Sequence, residues 1–313
     1  MSEIRIILLC GSRFAIPALQ ELAFFKQLSV IAIPRHCTEM IERVKVSLTG
    51  MNVPVIEIDK ETLEKQLKDA IEKYKITTGL VMSFSYSIPA SVFILPPNGF
   101  FNVHPGPLPR YRGADPVFQQ IKNKERKAGV TIHKLDEGFD TGPVVINEMI
   151  AIDPADTYGI LTSKLSITAG RVVRTLCKLL GFDLAVPSRP QDESKATYFK
   201  KQSAKDVIID WMTMDADSVI ALINACNPWN KGALTKINQK IIRLLEAEKL
   251  AGYELPENTM AGTVIAIDEK GMIVSANGHE AIRVFTVYID EGFFRASLLN
   301  KLGIIPGNRF EMI

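Results

Sequence analysis

The sequence predicts an α/β amino-terminal domain built on a mostly parallel sheet, followed by a smaller domain that forms a β-barrel. Three observations carry this. Short apolar, β-branched runs alternate with helix-like stretches up to about residue 180. A Pro- and Ser-containing, charged stretch over residues 187–205 then interrupts the pattern. Beyond it, short strand-like runs repeat at close spacing, as in a small barrel.

The elements follow in order. Ile4–Cys10 is almost continuously apolar, as a strand buried on both faces must be, and Gly11-Ser12 ends it. Residues 15–26 place Ile16, Leu19, Leu22 and Ala23 at helical spacing. Ser29–Ile33 is the next strand, 38–49 a helix, Val53–Ile58 a strand and 61–74 a charged amphipathic helix. Strands follow at 78–82 and Gly99–His104, then at 128–135 and 144–152, and a long helix covers 156–180. The expected domains are therefore 1–186, a linker 187–205, and 206–313. In the last part a helix over 215–226 leads to Asn227-Pro228-Trp229, and strand-like runs occupy 234–246, 262–268, 271–276 and 281–287. Asn277-Gly278 between two such runs is a type I′ hairpin signal. Trp229 reads as an anchor packing this domain.

Of the 313 residues, 47% are apolar and 23% charged, enough for a full core and incompatible with a disordered chain. No run reaches the roughly 18 apolar residues of a membrane span. The first residues lack a positive stretch followed by an apolar one. The four cysteines are scattered, so they read as reduced thiols, and Cys10 as inert. The expected compartment is the cytoplasm.

Ligands of open α/β sheets bind beyond the carboxyl ends of the strands. The turn after the first strand, Cys10-Gly11-Ser12-Arg13-Phe14-Ala15, lacks the glycines of a dinucleotide fingerprint, and there is no P-loop. His36, His104, His133 and His279 are not spaced as a metal site, and no metal is expected. His133 and His279 read as structural. The informative stretch begins at Asn102-Val103-His104. At i and i+2 of a strand, an amide and an imidazole project side by side, roughly 6.5–7 Å apart at Cα. A proline-stiffened loop, Pro105–Asp115, follows, and Asp115-Pro116 opens a helix. Arg110 and Arg112 flank its mouth, where an anionic substrate would meet them. The acidic, Gly-bounded loop Asp136-Glu137-Gly138-Phe139-Asp140-Thr141-Gly142 returns Asp140 to the same face. These parts suit acyl transfer. An amine attacking a formyl carbon makes an oxyanion and releases a proton. A carboxamide N–H and an imidazolium stabilise the first, while a carboxylate raises the imidazole pKa and relays the second. No Ser or Cys nucleophile stands beside His104, which favours direct transfer.

Asn102-Val103-His104, Leu108–Gly113, Gly129-Val130-Thr131-Ile132-His133 and Asp136–Gly142 resemble the N10-formyltetrahydrofolate-dependent formyltransferases. Ile209-Asp210-Trp211, Ile223–Trp229 and Ala261–Val264 extend the resemblance over nearly the whole chain. It implies a Rossmann-like domain followed by an OB-like barrel, with Asn102, His104 and Asp140 catalytic. It also implies 10-formyltetrahydrofolate as donor, held by Ser83, Phe84, Ser85, Tyr86 and Ile88, by Gly106, Pro107, Leu108 and Pro109, and by Asp136, Glu137 and Gly138. Arg13 and Phe14 join Arg110 and Arg112 as acceptor contacts. The implied acceptor is the amino group of initiator methionyl-tRNA, which places the protein in translation initiation.

Two departures from the tRNA-acting members of the family stand out. Gly106-Pro107-Leu108-Pro109 replaces Ser-Leu-Leu-Pro. Pro34–Lys45 replaces a basic, Gly-containing insertion with a shorter segment of mixed charge. Residues 201–313 carry 12 Lys and Arg against 14 Asp and Glu, whereas a barrel gripping RNA phosphates is expected to be basic. The alternatives are a small amine acceptor such as an amino-sugar nucleotide, hydrolysis of the formyl donor, and a non-catalytic RNA-binding module.

Overall fold

The computed structural model describes residues 3–182 and 186–313. They form two compact units, which do not follow chain order: residues up to 116, 127–151 and 162–199 make the first, and 117–126, 152–161 and 200–313 the second.

In the first unit β1 (Ile6–Cys10), α1 (Ile16–Phe24), β2 (Leu28–Pro34), α2 (Thr38–Ser47), β3 (Val55–Ile58), α3 (Leu63–Lys73), β4 (Thr78–Met82), α4 (Ala90–Phe93) and β5 (Phe100–His104) alternate. After β6 (Arg112–Gly113) comes α5 (Pro116–Lys122), which belongs to the second unit beyond its first residue. Then come β7 (Lys127–Lys134), β8 (Val144–Ala151), α6 (Tyr158–Gly181), whose first turn belongs to the second unit, and β9 (Tyr198–Phe199). The main sheet has the order β3-β2-β1-β4-β5-β7-β8. β1 to β5 are parallel, and β7 and β8 antiparallel. β1 and β4 are buried at every position, which is why their sequences are apolar without alternation. α3 turns Leu63, Leu67, Ala70 and Ile71 inward onto Ile7, Leu9, Val30 and Phe100. The strand order reverses between β1 and β4, so the crevice of this fold opens at the ends of those two strands.

The second unit holds α7 (Ala216–Cys226), β10 (Ala233–Ile237), β11 (Lys240–Lys249), β12 (Val264–Asp268), β13 (Gly271–Ala276), β14 (Glu280–Ile289) and β15 (Gly292–Arg295). Asp215 caps α7 by accepting from Ser218 N–H. The strands form an antiparallel sheet, β10-β11-β14-β13-β12, with β15 on β14. The final segment bridges both edges: Arg309 pairs with Thr263 beside β12, and Glu311 with Lys236 of β10. Trp211 fills the interior, stacked on Phe310 at 5.3 Å and donating from Nε1 to Thr235 Oγ1 at 2.8 Å. Trp229 packs near Phe118 and Tyr158, with its indole N–H on the Ala225 carbonyl, as the anchor reading expects.

Two expectations need correction. The run 234–246 is a hairpin, not one strand, because Asn238 and Gln239 both take positive φ, the signature of a type I′ turn. The hairpin at Asn277-Gly278 exists, but its left-handed residues are Gly278 and His279, so its loop has three residues rather than the two of type I′. No helix among the described residues is long and apolar enough to cross a membrane.

Candidate active site

β5 delivers Asn102 and His104 to the carboxyl edge of the sheet. β7 runs antiparallel beside it, with Asn102 opposite His133 and His104 opposite Thr131. Directly opposed residues share a face, so this register puts two imidazoles and an amide together. The β7–β8 connection brings Asp140 over them. Its backbone is left-handed (φ 58°), and Gln191 Nε2 holds the turn by donating to the carbonyls of Asp140 and Gly142 at 2.8 Å each. Gly142 is required there, because a Cβ would lie 1.8 Å from the Lys134 carbonyl oxygen.

The trio therefore converges on one carboxylate. Asn102 Nδ2 donates to Asp140 Oδ1 at 3.1 Å, and His104 Nδ1 lies 3.5 Å from the same oxygen. Gly113 N–H donates to Oδ2 at 2.9 Å. His133, which the sequence reading leaves structural, joins them: its Nε2 is 3.4 Å from Asp140 Oδ1 and 3.1 Å from Asn102 Nδ2. The partners assign the protons. His133 Nδ1–H donates to the Lys134 carbonyl at 2.9 Å, so in the neutral ring Nε2 accepts from Asn102. Both groups facing the Asn102 amide are acceptors, so its nitrogen must face them. His104 Nε2–H donates to the Tyr111 carbonyl at 2.7 Å, which leaves Nδ1 as the bare nitrogen toward Asp140.

Electrostatics divide the charge. Burial pushes the Asp140 carboxyl up, but the neighbouring His104 and His133 and the Gly113 N–H outweigh it and hold the group well below the usual carboxylate range. The Gly113 N–H favours the ionised carboxylate whatever the charge of the two rings. His104 is only 4% exposed, and burial lowers its pKa despite the opposing pull of Asp140 and the Tyr111 carbonyl. The expectation of a raised His104 pKa is thus corrected: desolvation exceeds the attraction of the carboxylate. The resting site is an ionised carboxylate beside a neutral imidazole.

The loops expected to hold a donor are pinned in different ways. Thr131 Oγ1 donates to the Gly106 carbonyl at 2.7 Å and accepts from Leu108 N–H at 3.2 Å, fastening the turn 106–109 to β7, with Pro107 against Gly129. Leu108 is buried, and the peptide before Pro109 is cis. Asp136 folds its own loop, taking Thr141 Oγ1 and Gly138 N–H, while Glu137 stays exposed. Phe84, Tyr86, Ile88 and Leu135 pack on one apolar cluster, while Ser83 and Ser85 are exposed.

The acceptor candidates are engaged within the protein in different ways. Arg112 is buried, and its guanidinium is committed to Glu193 (2.6 and 2.9 Å) and Gln191 (2.8 and 3.1 Å). In place of the open mouth position expected for Arg112, its buried guanidinium pairs with the exposed Glu193 carboxylate and donates to Gln191. Arg110 lies over the Tyr111 ring at 5.1 Å. Phe14 is buried. Arg13 and Arg43 both pair with Glu39, and Arg13 borders a groove of about 620 Å³ with Ile16, Pro17 and Val46. Burial pushes the Cys10 thiol up to about 12, so it is inert as expected. Among the described residues, no group of three or more His, Cys, Asp or Glu is placed to hold a metal ion.

Gly11 approaches Ser83 so closely that a Cβ would lie 2.6 Å from its carbonyl oxygen. A backbone atom yields only if the loop moves. Gly11→Ala is expected to cost about 1–3 kcal/mol of stability, measured as a lower urea midpoint at unchanged slope.

Comparison with known proteins fits this geometry. Residues 39–174 match the family "Formyl transferase", and residues 201–292 match "Formyl transferase, C-terminal domain". A methionyl-tRNA formyltransferase of Dictyoglomus turgidum is 34% identical over 279 residues, covering 87% of this chain and 86% of that one. The chain belongs to the formyl transferase family. A second family member, the methionyl-tRNA formyltransferase of Aromatoleum aromaticum, is 35% identical over 235 residues, 74% of this chain and 71% of that one. The structure of an N-formyltransferase from Helicobacter canadensis, complexed with folinic acid and dTDP-3-aminofucose, superposes with a TM-score of 0.66 at 16% identity, over 90% of this chain and 98% of that one. That likeness speaks to the formyl transferase fold alone.

Proposed function

We propose that the protein transfers the formyl group of 10-formyltetrahydrofolate to the amino group of initiator methionyl-tRNA in the cytoplasm, by direct attack through a tetrahedral intermediate. The observation that carries this reading is the convergence of Asn102, His104 and His133 on Asp140, in a formyl transferase whose relatives, matched over most of their length, are methionyl-tRNA formyltransferases.

The chemistry follows from the proton positions. The amine nitrogen attacks the formyl carbon, and the carbonyl electron pair moves onto oxygen. An Asn102 N–H, held by His133 at rest, is donated to that oxyanion. The amine proton passes, directly or through water, to the gap between His104 Nδ1 and Asp140 Oδ1, where two lone pairs face each other. The imidazolium formed there is stabilised by the carboxylate. Collapse of the intermediate breaks the bond to the folate nitrogen, which takes the proton. The products are the formamide and tetrahydrofolate. The donor contacts are assigned to the loops 83–88, 106–109 and 136–138.

The acceptor is the point on which a second reading turns, since the near-neutral balance of residues 201–313 favours a small amine. Against it, one face of the second unit sets Lys231, Arg243, Trp229 and Tyr288, with one carboxylate, Asp290, around a pocket of about 310 Å³, and the two cations and two aromatic rings suit RNA. The test is transfer of labelled formyl from 10-formyltetrahydrofolate to charged initiator tRNA, repeated across a salt series. The tRNA reading expects kcat/KM to fall steeply with salt, in proportion to the phosphates contacted. Efficient transfer to an amino-sugar nucleotide, with little salt dependence and no transfer to tRNA, would establish the small-amine reading instead.

A further inference from the structure

The loop 83–88 leaves β4 through a strained residue. Ser83 takes a left-handed backbone (φ 53°), which a side chain with a Cβ resists and which persists only when held from outside. Gly11 presses on one side of it. Further along the same loop, Ser85 and Tyr86 are held by His36, which the catalytic scheme does not use.

His36 sits in the turn between β2 and α2. That turn is fastened below: Cys37 N–H donates to the Pro34 carbonyl at 2.8 Å, Arg35 N–H to the Ile58 carbonyl at 3.0 Å, and the Arg35 guanidinium pairs with Asp59 at 3.0 Å. From this base the imidazole reaches the loop with both nitrogens. Nδ1 is 3.0 Å from Tyr86 Oη and Nε2 is 3.3 Å from Ser85 Oγ. The His36 and Tyr86 rings meet edge-on at 5.6 Å, and Tyr86 meets Phe84 edge-on at 5.7 Å. Both partners are hydroxyls, which donate or accept, so either imidazole tautomer is satisfied. One side chain thus fixes two of the five residues assigned to the donor in this loop, beside the crevice between β1 and β4.

We propose that His36 is a positioning residue for the formyl donor, holding Ser85 and Tyr86 in the shape that receives the folate. This rests on the assignment of loop 83–88 to the donor. The full chain is titrated with tetrahydrofolate at equilibrium, and donor KM and kcat are measured separately. The variants are His36→Ala, His36→Gln, a Ser85→Ala/Tyr86→Phe background, and His36→Ala in that background. His36→Ala is expected to weaken tetrahydrofolate binding and raise donor KM by about 3- to 10-fold, with kcat within about 2-fold of wild type. His36→Gln should recover part of the loss. In the background lacking both hydroxyls, His36→Ala should add nothing. An equal loss in both backgrounds, a fall in kcat at unchanged KM, or unchanged binding in every variant would overturn the clamp alone. A wild-type chain that does not bind tetrahydrofolate would overturn the donor assignment, and the clamp with it.

Discussion

Asp140→Asn is expected to lower turnover by about 10²–10⁴-fold while the chain stays folded. The substitution conserves shape and removes charge. In the wild type both carboxylate oxygens accept, one from Asn102 Nδ2 and the other from Gly113 N–H. An amide has one acceptor and one donor end. Whichever way it turns, it sets an N–H against another N–H, and a largely buried donor loses its partner, at a cost of about 1–3 kcal/mol. Chemically the loss is greater. The proton site between His104 Nδ1 and Asp140 Oδ1 loses its anionic side, so the imidazolium formed in the reaction has no counter-charge. Single-turnover rates at saturating donor isolate this from binding. A rate within a few-fold of wild type would mean that Asp140 holds the loop and takes no part in the proton transfer.

What the sequence makes legible depends on the range of the interaction. β1 and β4 are readable because burial on both faces leaves an unbroken apolar run. Asn102 and His104 are readable because a two-residue period is local, and Asp140 because a Gly-bounded acidic turn is local. His133 is not, although Gly129, Thr131 and His133 share the same period. Its role depends on the antiparallel register that sets it opposite Asn102, and nothing in residues 129–133 encodes which strand lies beside them. Arg112 misleads for the same reason. Its partners Gln191 and Glu193 stand about 80 residues away, in a stretch whose composition reads as linker yet which folds into the first unit through β9. Charge state is the least legible property. Proximity to Asp140 argues for a raised His104 pKa, and only the burial of the ring, which follows from its packing under the Pro105–Tyr111 loop, reverses the sign.

That sign gives His104 its own prediction. His104→Ala is expected to lower turnover by about 10²–10⁴-fold, but it also strips the Tyr111 carbonyl of its donor. His104→Gln, which still offers an N–H to that carbonyl, should be as inactive and better folded. The pH profile separates base from acid. Burial leaves His104 neutral near pH 7, able to take a proton at Nδ1. If it is the base, kcat/KM should fall on the acid side, at a midpoint below the ordinary imidazole value of about 6.5, as the ring fills before substrate arrives. Asp140 raises the His104 pKa, so in Asp140→Asn the residual activity should show that limb displaced to still lower pH. In His104→Gln the limb should disappear. Activity that instead climbs as the pH drops through this range would identify the imidazolium as the working form and transfer the role of base to Asp140.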